Sequence, residues 1–299
     1  MLQIACRLGR AVGHADLVHC HLYGLLTLAV GLTARARLRP VVCKAAIAGR
    51  GSDIGEMKRT SFFNRRVAGW GRWCFTRWIA TTDAVADQLR SAGVETARIV
   101  KIPNGIALRP GPKIVSRVRR FLYVGRLSSN INRDTDGLLS AFDRVADKHA
   151  DVHLALVGGG DLLDHTRLLA ASARHADRIQ VVGFADPTPW LQWADCFVLP
   201  SRNEGLSNAL LEAMERGLVC VANDIGPNRE ALADGRAGIL VPVEDRVCLA
   251  ETLQSLIADD AVASDFSRAA RGRAESAYGM EAVVSLVQHA YSKLHAWSS

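Results

Sequence analysis

Short apolar runs alternate with longer stretches along this chain. In the longer stretches apolar residues recur every three or four positions, the spacing of an amphipathic helix. The runs lie at 16–21, 41–44, 78–82, 98–102, 121–124, 152–157, 179–184, 195–199, 219–222 and 238–242. Most are apolar at consecutive positions, which predicts strands buried on both faces, as in parallel sheets. Between them the spacing predicts helices over 23–36, 62–78, 83–93, 135–148 and 187–194, and another opening at Ser207. Strand and helix in steady succession predict an α/β fold. The helix over 62–78 places Phe63, Val67, Trp70, Cys74 and Trp78 on one core-facing stripe, with Phe62, Arg66 and Trp73 on its flank. A final helix has Ala282, Val283, Leu286, Val287, Ala290, Tyr291 and Leu294 on one stripe. His19 and His21, on the first strand, are expected on opposite faces and so not at a common metal. Arg109-Pro110-Gly111-Pro112 reads as an interdomain linker. It separates a domain over 1–108 from one over 109–280, with the last helix over 281–299.

Length and composition narrow the class. A chain of 299 residues, 49% hydrophobic and 22% charged, is of the size and kind that builds two soluble domains. No apolar run approaches the ~20 residues that span a bilayer, and the start lacks a basic region followed by an apolar block. The 7 cysteines are odd in number and scattered, the pattern of reduced thiols in a cytoplasmic protein. The net charge of +7 is uneven: residues 1–110 hold 17 Lys and Arg against 6 Asp and Glu, and residues 111–299 hold 20 against 24. A basic first part suits an anionic membrane or an acidic acceptor. No recognition motif for nucleic acid accompanies it, so nucleic acid is not expected as a partner.

The chemistry concentrates at residues 200–212. Pro200 ends an apolar strand, and Ser207 is placed to cap the next helix. Leu210, Leu211 and Met214 make the buried stripe of that helix. The amides around Ser207, Asn208 and Ala209 then face the carboxyl end of a sheet, a setting suited to phosphate. Glu204, on the loop before, and Glu212, on the helix, are repelled by phosphate. They are suited instead to accept hydrogen bonds from sugar hydroxyls on either side of a diphosphate.

Glu204 and Glu212, with Gly205 and Leu206, the run Leu211-Glu212-Ala213-Met214 and the strand Val219-Cys220-Val221-Ala222, resemble the signature of the family-four retaining glycosyltransferases of the GT-B fold. The resemblance implies two Rossmann-like domains with parallel sheets. It implies that Glu204 contacts the donor sugar, that Glu212 holds the nucleotide ribose, and that the amides near Ser207 and Asn208 hold the diphosphate. Gly125-Arg126 matches the family's Gly-Arg, and Arg133 stands where the family has Lys; both cations are expected on the diphosphate. Backbone groups at Gly183 are expected near the base. Gly158-Gly159-Gly160 is expected to allow a tight turn near the nucleotide; a dinucleotide fingerprint fails because its third glycine position is Leu163. Pro103-Asn104-Gly105 resembles the family's turn at the end of the first domain.

Three departures stand against this. Relatives carry two strand–helix units and a glycine-rich loop before a strand like 16–21, so the first domain is expected to be incomplete. The family's histidine after the second strand is absent; the sequence there runs Lys44 to Gly51, with Gly49, Arg50 and Gly51 as a cationic loop. Pro227 replaces one glycine of a Gly-Gly pair. The expected activity is transfer of a sugar from a nucleotide diphosphate sugar to a hydroxyl acceptor, a polysaccharide or lipid-linked glycan, with retention and with neither metal nor cofactor. The competing readings are an inactive nucleotide- or partner-binding remnant and, third, a sugar-nucleotide epimerase of the same fold. The expected setting is cytoplasmic, peripheral at the inner membrane face.

Overall fold

The computed structural model describes residues 11–21, 25–45, 73–111, 113–129 and 133–295. The loop at Gly49, Arg50 and Gly51 and most of the helix expected over 62–78 lie outside the described residues. The chain forms two compact units, Met1–Asn104 with Val283–Ser299, and Gly105–Ala282.

Among the described residues the first unit has a parallel sheet of four strands in sequence order: β1 (Val18–His21), β2 (Val41–Ala45), β3 (Arg77–Ala80) and β4 (Ile99–Lys101). Helix α1 (Leu25–Ala36) connects β1 to β2, and α2 (Asp83–Ser91) connects β3 to β4. Thr82 caps α2 by accepting from the Val85 amide at 3.3 Å. One sheet face packs Val41, Cys43, Trp78 and Ala80 against Leu28, Val85 and Leu89. The other packs Val42, Ile79 and Ile102 against Val283 and Leu294. Those two belong to the last helix, α10 (Met280–His295).

Three local expectations need correction. Trp78 lies on β3, because the helical turn before it ends at Cys74. Its bulk is nevertheless buried. On α10 the buried seam is Val283 and Leu294, backed by Val287, Ala290 and Tyr291. Ala282 and Leu286 are exposed, since one sheet face covers less than half of a helix. His19 and His21 share a face, as residues two apart on a strand must. Their rings stack with centroids 4.4 Å apart, and His19 Nδ1 hydrogen-bonds to the Tyr291 hydroxyl.

The second unit is a parallel sheet of six strands in the order β10-β9-β8-β5-β6-β7. These are β5 (Arg120–Val124), β6 (His153–Val157), β7 (Ile179–Gly183), β8 (Cys196–Leu199), β9 (Val219–Asn223) and β10 (Ile239–Val241). The intervening helices are α3 (Thr135–Ala146), α4 (Leu163–Ala171), α5 (Thr188–Trp193), α6 (Asn208–Glu215) and α7 (Gly226–Ala231), followed by α8 (Arg246–Ala258) and α9 (Asp260–Tyr278). From β5 the chain winds outward through β6 and β7, then returns to lay β8 on the other side of β5. The loops after β5 and β8 therefore diverge at a topological switch point, where open α/β sheets hold their ligands.

Two buried ion-pair clusters brace this unit. Asp195 accepts from the amides of Arg119 and Arg120 and pairs with Lys113 at 2.6 Å and Arg120 at 2.9 Å. Glu215 accepts from the Arg109 amide and from Arg271, each at 2.8 Å, and so ties α6 to α9. Both carboxylates are nearly inaccessible, and losing a partner from such a pair is strongly destabilising.

Candidate functional site

At the switch point the two loops are pinned together. The Asp134 amide donates to the Pro200 carbonyl at 2.8 Å, and Arg133 and Ser201 form an isolated antiparallel bridge. Asp134 also caps α3, accepting from the Gly137 amide at 2.9 Å. Arg133 is thus anchored on both sides of its own peptide, and its side chain has a defined direction.

That side chain meets Glu204. Arg133 Nη2 donates to Glu204 Oε2 at 2.8 Å, and the Ser201 hydroxyl donates to the same oxygen at 3.1 Å. Arg133 Nη1 donates to the Tyr123 hydroxyl at 3.2 Å, and Tyr123 donates in turn to the Arg126 carbonyl at 3.2 Å. Burial opposes the charge on Arg133, but Tyr123 and Glu204 outweigh it and hold the guanidinium above its ordinary pKa. Burial raises the Tyr123 phenol, partly offset by Arg133. Arg133 Nε is buried without a partner among the described residues, so the cluster retains an unfilled donor there.

Glycines allow the approach. A Cβ on Gly125 would overlap the Arg133 guanidinium, and one on Gly158 would overlap the Gly125 carbonyl. Gly158 donates to the Gly183 carbonyl at 2.8 Å, and Leu127 donates to the Gly159 carbonyl at 3.0 Å. The glycine run therefore backs the Gly125–Leu127 turn, and Gly183 (φ +86°) lies beside it. Asp161 ties down the same turn, accepting from the Ser129 amide at 3.3 Å; hydrogen bonds from Ser128 and Ser129 hold its carboxyl at about 2.

On the other loop Gly205, Leu206 and Ser207 are buried, and Asn208 is exposed as it opens α6. The Ser207 hydroxyl accepts from the Leu210 amide at 3.5 Å. Glu212 is half-buried on α6 and has no side-chain partner among the described residues. Burial raises its carboxyl above the ordinary range, with Arg109 pulling the other way. A partly desolvated acid without a partner is suited to receive hydroxyl donors.

The structure thus brings Gly125, Arg133 and Glu204 into one cluster, with Gly183 next to its supporting turn. It does not join Arg126 to them through its side chain, which is exposed and makes no ion pair among the described residues. Glu212 reaches none of the cluster by a direct contact. Tyr123 and Ser201 did not emerge from sequence reasoning. A hydroxyl closing the apolar run Phe121-Leu122-Tyr123-Val124 was the available signal, since a buried phenol requires a partner. No group of three His, Cys, Asp or Glu among the described residues can hold a metal ion.

Residues 118–259 match the profile of the glycosyl transferases group 1, and residues 1–105 that of a glycosyl transferase 4-like domain. Glycogen synthase of Mycobacterium tuberculosis is 31% identical over 206 residues, 67% of this chain and 49% of that protein. Phosphatidyl-myo-inositol mannosyltransferase of Mycobacterium leprae is 29% identical over 217 residues, 70% of this chain and 58% of that protein. The chain spans about half the length of the curated relatives it matches. Among solved structures, Anabaena HepE in complex with UDP superposes with a TM-score of 0.82 at 19% identity, covering 98% of this chain and 82% of that one. A mutant of TarM from S. aureus, in a complex that includes UDP, gives 0.79 at 19% identity, covering 95% and 57%. At such identity the structural likeness is one of fold. Two matching profiles over most of the chain, and a shared two-sheet architecture, lead to one conclusion: the chain belongs to the family-four, group 1 glycosyl transferases of the GT-B fold.

Proposed function

We propose that the chain transfers a sugar from a nucleotide diphosphate sugar to a hydroxyl acceptor with retention of configuration. The observation that carries this is the Arg133–Glu204 pair, held by Tyr123 and Ser201 at the switch point of the second sheet. In the reaction the bond from the anomeric carbon to the diphosphate breaks and its electron pair leaves with the nucleoside diphosphate. The acceptor oxygen bonds to the same carbon, and its proton passes to the departing phosphate. Arg133 and Arg126, with the positive end of α6, offset the charge that develops on the leaving group. Arg in place of Lys presents a planar two-pronged donor, well matched to phosphate oxygens. Glu204 contacts the donor sugar, Glu212 the ribose hydroxyls, and backbone groups at Gly183 the base. The acceptor class is a glycan or a lipid-linked glycan, in line with the named relatives. The basic first unit draws the protein to an anionic membrane face.

The test is calorimetric titration with UDP, GDP and ADP, followed by a release assay with the sugar forms of whichever nucleotide binds. Binding together with transfer supports the proposal. Binding without transfer would mark an inactive nucleotide-binding protein, and no binding of any of the three would overturn the site.

A further inference from the structure

At the amino-terminal edge of the first sheet, away from the strand ends that open sheets use for ligands, lies an unbalanced cationic surface. Arg35, Arg37, Leu38 and Arg39 come from the end of α1, Trp73 and Thr76 from the approach to β3. They line a groove of about 690 Å³. Arg77, Glu95 and Arg98 extend it. Five guanidinium groups thus surround one acid, and none of the five pairs with a carboxylate among the described residues. Their fixed partners are carbonyls: Gly13 for Arg39, Ala97 for Arg77, Phe75 and Thr76 for Arg98. The crowding is felt electrostatically, since Arg98 is lowered by burial and then by Arg35 and Arg77.

Two apolar side chains stand out of this surface. Trp73 is 60% exposed and carries Arg35 over its ring at 4.4 Å. Leu38 is 91% exposed, and its φ of +56° is left-handed. It occupies the turn that ends α1, where the Arg39 amide bonds back to the Ala34 carbonyl at 2.9 Å. Glycine is the usual residue at such a cap, and a leucine there strains the backbone while burying nothing. Packing among the described residues therefore gives no reason for this side chain, whereas an amphipathic contact would. A tryptophan and a leucine ringed by arginines match a bilayer interface, with apolar groups at the acyl boundary and guanidiniums among the phosphates.

We infer that this edge docks on an anionic phospholipid surface, with Leu38 and Trp73 entering the interface. The inference rests on the membrane-contact part of the reading above and on no part of the sugar-transfer chemistry. It is tested by flotation of the full chain with vesicles of phosphatidylglycerol and phosphatidylcholine, against pure phosphatidylcholine, at low and high salt. The expected result is binding to the anionic vesicles alone, weakened by salt. Arg35→Gln with Arg37→Gln should weaken partitioning about thirtyfold at low salt. Leu38→Gly should weaken it severalfold while the unfolding temperature holds or rises, because glycine relieves the cap. No vesicle binding by the wild type would remove membrane contact altogether. Binding that both variants retain would place the contact elsewhere on the protein. Tighter binding to duplex DNA than to the vesicles at the same salt would also overturn the assignment. Each outcome is independent of the nucleotide titrations, so this surface and the donor site fail separately.

Discussion

Replacing Glu204 by Gln keeps the shape of the side chain and removes its charge. In the free protein this carboxylate holds Arg133 at 2.8 Å, with the two side chains only 11% and 16% exposed for Arg133 and Glu204. A charge-assisted hydrogen bond contributes about 1.5–3 kcal/mol, and residual solvent access favours the lower part of that range. A diphosphate that binds Arg133 must compete with this carboxylate for the same guanidinium. Glu204→Gln leaves only a weaker neutral bond, so affinity for the free nucleoside diphosphate should rise about tenfold, the equivalent of ~1.4 kcal/mol. Turnover should fall, because the donor sugar loses its carboxylate. Arg133→Gln should weaken the nucleoside diphosphate by about tenfold or more. The double variant should bind like Arg133→Gln alone, since without the guanidinium the carboxylate has nothing to contest. Calorimetric titration of the four proteins with the nucleotide that binds the wild type reads this cycle directly. A tenfold weakening in Glu204→Gln would refute the reasoning. It would mean that the carboxylate positions Arg133 for phosphate instead of holding it in reserve.

Three further outcomes are expected. Glu212→Ala should weaken nucleotide binding about a hundredfold, as expected for two charged hydrogen bonds to ribose at ~1.5 kcal/mol each; unchanged calorimetric affinity would remove the ribose role. Tyr123→Phe should raise the donor KM severalfold with a small change in thermal unfolding, because it deletes the phenol bonds to Arg133 and to the Arg126 carbonyl while the ring still fills the core; an unaltered KM would show that the phenol does not position Arg133. His19 is pushed down to about 4 by burial, then by His21 and Lys44, so the native state resists its protonation. Its contribution to stability is present above the ordinary value of 6.5 and is lost as pH falls toward 4. For a half-buried ring the loss is about 1–2 kcal/mol after solvent screening, and His19→Asn should flatten the acid limb of urea midpoints recorded between those limits.

Much of this protein was legible from neighbours along the chain. The apolar runs marked the strands because a strand buried on both faces needs apolar residues in succession. Ser207 marked a helix start because a capping oxygen reaches an amide only a few residues away. The stretch from Pro200 to Glu212 carried the family likeness for the same reason, as strand, turn and helix lie within one short segment. The error over His19 and His21 was also local, and the period of two along a strand corrects it.

Tertiary structure decided what distant segments do to one another. Arg133 and Glu204 are 71 residues apart in sequence, and they meet because β8 returns to lie beside β5 instead of beyond β7. Strand order follows from the packing of whole layers, and residues 121–124 or 196–199 carry no local mark of it. The same crossing joins Tyr123 to Glu204 through Arg133, although the partners of Tyr123 itself lie within ten residues, and Arg126, one residue beyond the matching glycine, was left exposed. Leu38 shows the converse, since its apolar side chain and left-handed backbone set core-like chemistry on an open edge, and only the fold shows that no described residue of this unit buries it. A sequence pattern specifies which atoms lie within a few residues of each other, and catalysis and docking depend on atoms that only the closed chain brings within a hydrogen bond or leaves facing solvent.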